Sequence, residues 1–115
     1  MTNPSTFSSG NIRGQWVLAL TISPTSVAPN TTAEQTFTCT GVQLGDMVDL
    51  SKPTHQGGLG ITNTRVSAAN VLAIAFVNAT AATITPTASE IYYVQISRPE
   101  NLSASNNSAL TQIVS

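Results

Sequence analysis

The sequence predicts an all-β fold, an antiparallel β-sandwich of jelly-roll-like or Ig-like topology with extended N- and C-terminal arms. Three observations carry this. Short segments alternate apolar and polar residues with a period of two, as half-buried strands do. Turn residues recur at intervals of about ten residues, the spacing of a sandwich. No stretch repeats its apolar residues at helical spacing.

The elements follow in order. Residues 1–14 are mainly Ser, Asn, Thr and Gly with isolated Phe7 and Ile12, too polar to order themselves, and read as an N-terminal arm. The domain, 15–99, opens with Trp16 to Ser23, where Leu18, Leu20 and Ile22 share one parity and Val17, Ala19 and Thr21 the other. Pro24 and Pro29 then force a turn or a sheet edge. Gln35 to Thr40 alternates strictly, with Phe37 and Cys39 on one face and three threonines on the other. Met47 to Ser51 is a short strand with Val48 and Leu50 inward. Lys52 to Gly60, with three Gly and one Pro, reads as a mobile surface loop.

Ile61 to Ser67 and Val71 to Asn78 form a hairpin through Ala68-Ala69-Asn70, in which Asn takes the left-handed conformation. The second of these strands is apolar on both faces. Leu72, Ile74 and Phe76 point one way and Val71, Ala73, Ala75 and Val77 the other, so the strand is central or its second face meets another subunit. Thr80 to Thr85 is a candidate short strand. Glu90 to Ser97, with Tyr92, Val94 and Ile96 inward, closes the domain. Residues 100–115 form a C-terminal arm that ends in a small apolar cluster containing Leu110, Ile113 and Val114.

Composition bounds the function. Charged residues make up 8% of the 115 residues and the net charge is -1, so the chain has no basic field with which to attract nucleic acid or anionic lipid. No apolar run spans a bilayer, and the amino end lacks a signal peptide, so the expectation is a soluble, cytosolically made chain with no membrane partner. One cysteine cannot staple the chain or build a Cys-rich metal site. A lightly charged polar surface also suits a lattice or oligomer better than a crowded free monomer.

Catalytic chemistry finds little support, and no cofactor or metal is expected. His55, the single candidate base, lies in the Pro53 to Gly60 loop without a nucleophile elbow. Cys39 shares the core parity of Phe37, a setting for an inert thiol. Asp46 and Asp49 are three apart in an extended segment, which sends paired carboxylates to opposite faces; Asp46 suits turn chemistry after Gly45. Gly57-Gly58-Leu59-Gly60 lacks the following Lys and hydroxyl of a phosphate loop. Four Asn-x-Ser/Thr triplets, at Asn30, Asn78, Asn101 and Asn106, read as coincidences of a chain rich in these residues. Trp16, Tyr92 and Tyr93 offer a sugar-stacking platform, against the simpler reading that Trp16 anchors the core and only one tyrosine faces out.

Thr40-Gly41-Val42-Gln43-Leu44-Gly45-Asp46-Met47-Val48, then Pro53 and a Gly-rich loop, Arg65-Val66-Ser67-Ala68-Ala69-Asn70-Val71, Asn78-Ala79-Thr80-Ala81-Ala82 and a Tyr-x-Val final strand follow one another. Through these strand and turn motifs, spanning roughly Ala33 to Ser97, the chain resembles small β-sandwich virion proteins of tailed bacteriophages. The resemblance implies a capsid decoration or cement protein on the outer surface of the virion, bound to the major capsid protein and to itself, as a trimer rather than a dimer. Phe7, Ile12, Leu110, Ile113 and Val114 are then the expected shell anchors, and Val71, Ala73, Ala75 and Val77 the expected self-association face. The competing readings are a tail-fibre or adhesin module that binds a host glycan, and a head-closure or neck component.

Overall fold

The computed structural model describes residues 12–100. They form six strands and no helix: β1 (Ile12–Ile22), β2 (Thr31–Thr38), β3 (Met47–Ser51), β4 (Leu59–Ala68), β5 (Val71–Asn78) and β6 (Glu90–Pro99). Two antiparallel sheets, ordered β1-β6-β3 and β2-β5-β4, pack face to face as a sandwich. The first strand pairs with the last and the second with the fifth. β3 also joins β6, and β4 joins β5, so β6 and β5 are the two central strands.

The core lies between the central strands. Leu72, Ile74 and Phe76 of β5 face Tyr92, Val94 and Ile96 of β6, and Ile22, Val27, Cys39, Val42 and Val66 close its margins. Each inward set is an alternate-residue row, so the period-two pattern translates directly into one buried face per sheet. The β4–β5 hairpin turns at Ala69 and Asn70 with Asn70 left-handed at φ 63°, as expected. The Asn70 side chain has a second use, because its Oδ1 accepts from the Gly41 N–H at 2.8 Å and ties the hairpin to the neighbouring turn.

Several assignments differ from the sequence reading. β1 begins at Ile12, within the expected arm, because Ile12 and Gly14 pair with Pro99 and Arg98 of β6. β2 runs earlier than Gln35–Thr40: left-handed Asn30 starts it, and Cys39 has already turned to donate its N–H to Asn70 O at 2.9 Å. Thr80 to Thr85 forms a single bridge, Ile84 to Val27, because the buried Asn78 side chain folds residues 78–82 into a turn. The Lys52–Gly60 segment is fastened rather than mobile. Gln56 bonds Thr85 O and the Thr87 N–H, and Gly58 O accepts from Ala79 N–H at 2.9 Å.

Val71, Ala73, Ala75 and Val77 do share the outer face of β5. Ala73 is nonetheless fully buried within the single chain. Arg65, opposite Ala73 on β4, reaches across β5 to Glu34, opposite Ala75 on β2, with two bonds of 2.8 Å. The alanines leave room for that strap, and the open patch expected here is correspondingly narrow. The outer face of the other sheet is the more open one, with Val17, Ile91 and Tyr93 exposed.

Candidate docking site at the end that carries both termini

Ile12 and Pro99 are paired at one end of the sandwich, so residues 1–11 and 101–115 join the domain side by side. The surface beside them is built around Arg98. Its Nε and Nη2 donate to the two Asp46 oxygens, each at 2.9 Å, and Nη2 also donates to Gly41 O at 2.8 Å. The guanidinium lies 4.8 Å from the Trp16 ring centre, a cation-π stack. Nη1 has no partner among the described residues.

Local sequence explains this arrangement. Gly45 adopts φ 93°, and the turn places Asp46 so that Oδ2 accepts from the Gln43 N–H at 2.9 Å. The Asp46 side chain is 1% exposed, and Arg98 holds its carboxyl below the usual carboxylate range, helped by the Gln43 N–H and opposed by burial. Arg98 is in turn held as a cation by the same pair. Gly14 matters for space, since a Cβ there would meet the Trp16 ring at 2.9 Å.

Two clefts flank Arg98. One, about 190 Å³, is apolar and lined by Trp16, Leu18, Ile96, Thr40, Gly41 and Arg98. The other, about 250 Å³, is more polar and includes Arg13, Leu44, Asp46 and Glu100. Leu44 projects into solvent at 70% exposure. A fixed cation between an apolar slot and a polar one is a binding arrangement; it presents no nucleophile with a base in reach.

The sequence-derived candidates fall into three groups. Phe7, Leu110, Ile113 and Val114 lie outside the described residues. Ile12 is half-buried in β1, and Val71, Ala73, Ala75 and Val77 sit on the β5 outer face described above. His55 is exposed in its loop, whereas Cys39 is buried and its thiol is pushed up by desolvation. Asp46 is buried against Arg98 while Asp49 is exposed on β3, so they form no pair.

The aromatic platform is not assembled. Tyr92 is fully buried, Tyr93 is on the outer face of β6, and Trp16 lies on the inner parity of β1. Trp16 is also 44% exposed and covered by Arg98, which corrects the expectation of a core anchor. Asn78, within one of the acceptor triplets, is fully buried with both Nδ2 hydrogens spent on Val27 O and Ala82 O. The Asp46–Arg98 pair was missed by sequence reasoning: the two residues are 52 apart, and the one available signal was the Gly45-Asp46 turn.

A second buried pair closes the opposite end of the fold. Lys52 Nζ lies 3.1 Å from Glu90 Oε1, and Thr54 Oγ1 donates to Glu90 Oε2. The Glu90 carboxyl is lowered first by that Thr54 bond and then by Lys52. Three of the four cations are thus spent joining separate elements. Among the described residues no cluster of three His, Cys, Asp or Glu side chains is placed to hold a metal ion. Comparison with known proteins finds no matching family model, no matching curated protein and no matching solved structure.

Proposed function

We propose that this chain is a structural protein of a tailed-phage virion, a decoration or cement protein that seats on the outer surface of the major capsid lattice and stabilises the shell. The observation that carries the reading is the pairing of Ile12 with Pro99, which delivers both arms to one end of the sandwich beside the Arg98 clefts. A compact domain fastened by three ion pairs then acts as a cap, and the arms act as tethers that order on the shell.

Each apolar anchor of an arm, Phe7, Leu110, Ile113 or Val114, contributes about 1.5 to 3 kcal/mol when transferred into a capsid groove, before the cost of ordering the arm. Once one arm is docked, the second binds at high effective concentration. The test is occupancy on particles stripped of the native protein. Removal of residues 1–11, and separately of 101–115, is expected to lower occupancy while the domain stays folded by far-ultraviolet circular dichroism. Attachment is expected to depend only weakly on salt, because so few charges are left for intermolecular ion pairs. Full occupancy by both shortened chains, or release by a few hundred millimolar salt, would overturn the reading.

A further inference from the structure

We infer that β1 is a pairing edge, and that a second copy of this chain docks on it antiparallel, β1 against β1, extending the β1-β6-β3 sheet across a two-fold axis into one continuous sheet. The inference goes beyond the virion reading and does not depend on it, since it concerns the chain in solution.

Unpaired strand edges present free N–H and C=O groups, and proteins guard them with charge, proline, bulges, shortness or a covering segment. Three of the four edges here are guarded. β2 is covered by the segment at Thr25, whose N–H and C=O are both bonded by the Gln35 side-chain amide, at 2.8 and 3.0 Å. β3 is five residues long and runs straight into Lys52 and Pro53. β4 carries two irregularities in its register, at Ile61/Asn63 and Val66/Ala68.

β1 confines such devices to its first residues, where the register shifts between Ile12 and Gly14 and Arg13 is its one charge. It is eleven residues long, pairs regularly with β6 from Gly14 to Ile22, and between Arg13 and Glu34 the chain contains no charged residue. Among the described residues no strand lies on its other side. The core is correspondingly open there: Trp16 is 44% exposed, and Leu18 and Leu20 are only half-buried, while Val17 on the outer face is 68% exposed.

The occupant is a second copy because the strand is complementary to itself. Centred on Leu18, antiparallel pairing sets Leu18 against the partner's Leu18, Val17 against the partner's Ala19, Trp16 against the partner's Leu20, and Gln15 against the partner's Thr21. Apolar residues meet apolar ones, the polar residues meet each other, and no like charges coincide. Opposite residues share a face, so Trp16, Leu18 and Leu20 continue the inner face of each core. Such an isologous contact closes as a dimer, which departs from the trimer implied by the resemblance.

The test uses the full chain. Sedimentation velocity from micromolar to submillimolar concentration is expected to show a monomer–dimer equilibrium. Val17→Lys, at an exposed position, is expected to raise the dimer dissociation constant by about tenfold or more without changing the circular dichroism. Leu18→Cys is expected to form a disulfide-linked dimer under mild oxidation, since directly opposed Cα atoms lie about 4.5 to 5.5 Å apart. Ala19→Cys, whose two copies are offset along the strand, is expected to cross-link far less. A monomer at every concentration would overturn the inference, whether the chain's own arm or a strand of another protein takes the edge. So would a trimer, or a dimer that Val17→Lys leaves intact and Leu18→Cys fails to cross-link.

Discussion

Tyr92 and Asn78 are both fully buried, and their polar atoms fare differently. Asn78 Nδ2 donates to Val27 O and Ala82 O, while Oδ1 accepts from the Thr80 N–H and hydroxyl, so one side chain joins the 78–82 turn to the segment at Val27. Asn78→Ala removes one of the donors to each of two carbonyls and the acceptor of the Thr80 N–H, and is expected to cost about 2 to 4 kcal/mol in urea unfolding. The Tyr92 hydroxyl finds no hydrogen-bond partner among the described residues. Burial, with the nearby Glu90 charge adding to it, pushes its ionisation up to about 12. Because the folded value lies above the ordinary 10, its contribution to stability is complete below pH 10 and is lost as pH rises from there towards 12. Tyr92→Phe is therefore expected to hold or raise stability near neutrality by up to about 1 kcal/mol and to flatten the alkaline limb of a stability–pH curve. Residue chemistry of this kind was only half legible in the sequence. Parity placed Tyr92 inward, but the partners of a buried polar atom come from segments far away in the chain.

At the level of elements, the strongest sequence signals were strands in which one face must be apolar, such as Phe37, or Leu72 to Phe76, and these were placed correctly on the core side. The loops misled because Gly and Pro signal a turn without saying whether it is packed. Gly58 is the instructive case. It sits at φ 82°, and a Cβ there would collide with Thr80 Cγ2, so both conformation and space demand glycine. Gly58→Ala is expected to cost at least about 1 kcal/mol and to raise amide exchange in both the 52–60 and 78–82 segments. A mobile loop would show neither effect. The Glu34–Arg65 strap was equally invisible beforehand, since a pair 31 residues apart becomes neighbours only when β2 and β4 flank the same strand. It also explains why the apolar second face of β5, plain in the sequence, is only partly open.

For the whole molecule, scarcity of charge gives the few ion pairs a disproportionate weight. Glu34, Asp46 and Glu90 all have carboxyls lowered by their partners, mainly Arg65, Arg98 and Thr54 respectively. A lowered carboxylate contributes its stability above the unfolded value, about 4, and loses it as pH falls through the lower folded value. Acid unfolding is accordingly expected below pH 4, and Asp46→Asn is expected to remove some of the pH dependence in that range, as read by circular dichroism against pH. The sandwich architecture was legible because it follows from local alternation. The Arg98 site was not, because it joins the end of the last strand to a turn between the second and third.

The pairing of Ile12 with Pro99 also fixes how the molecule bears a load. A pull that separates the two arms acts on β1 and β6 at the same end and across their ladder, so the hydrogen bonds break in succession, as in a zip. A pull along the strands, between the start of β1 and a handle near Ile91 at the far end of β6, loads many of those bonds together. Single-molecule stretching is therefore expected to open the domain at markedly lower force through its two termini than through an N-terminal handle and one attached at Ile91→Cys, an exposed position on β6. The same fold is soft to forces that spread its arms and stiff to forces that draw it along its length.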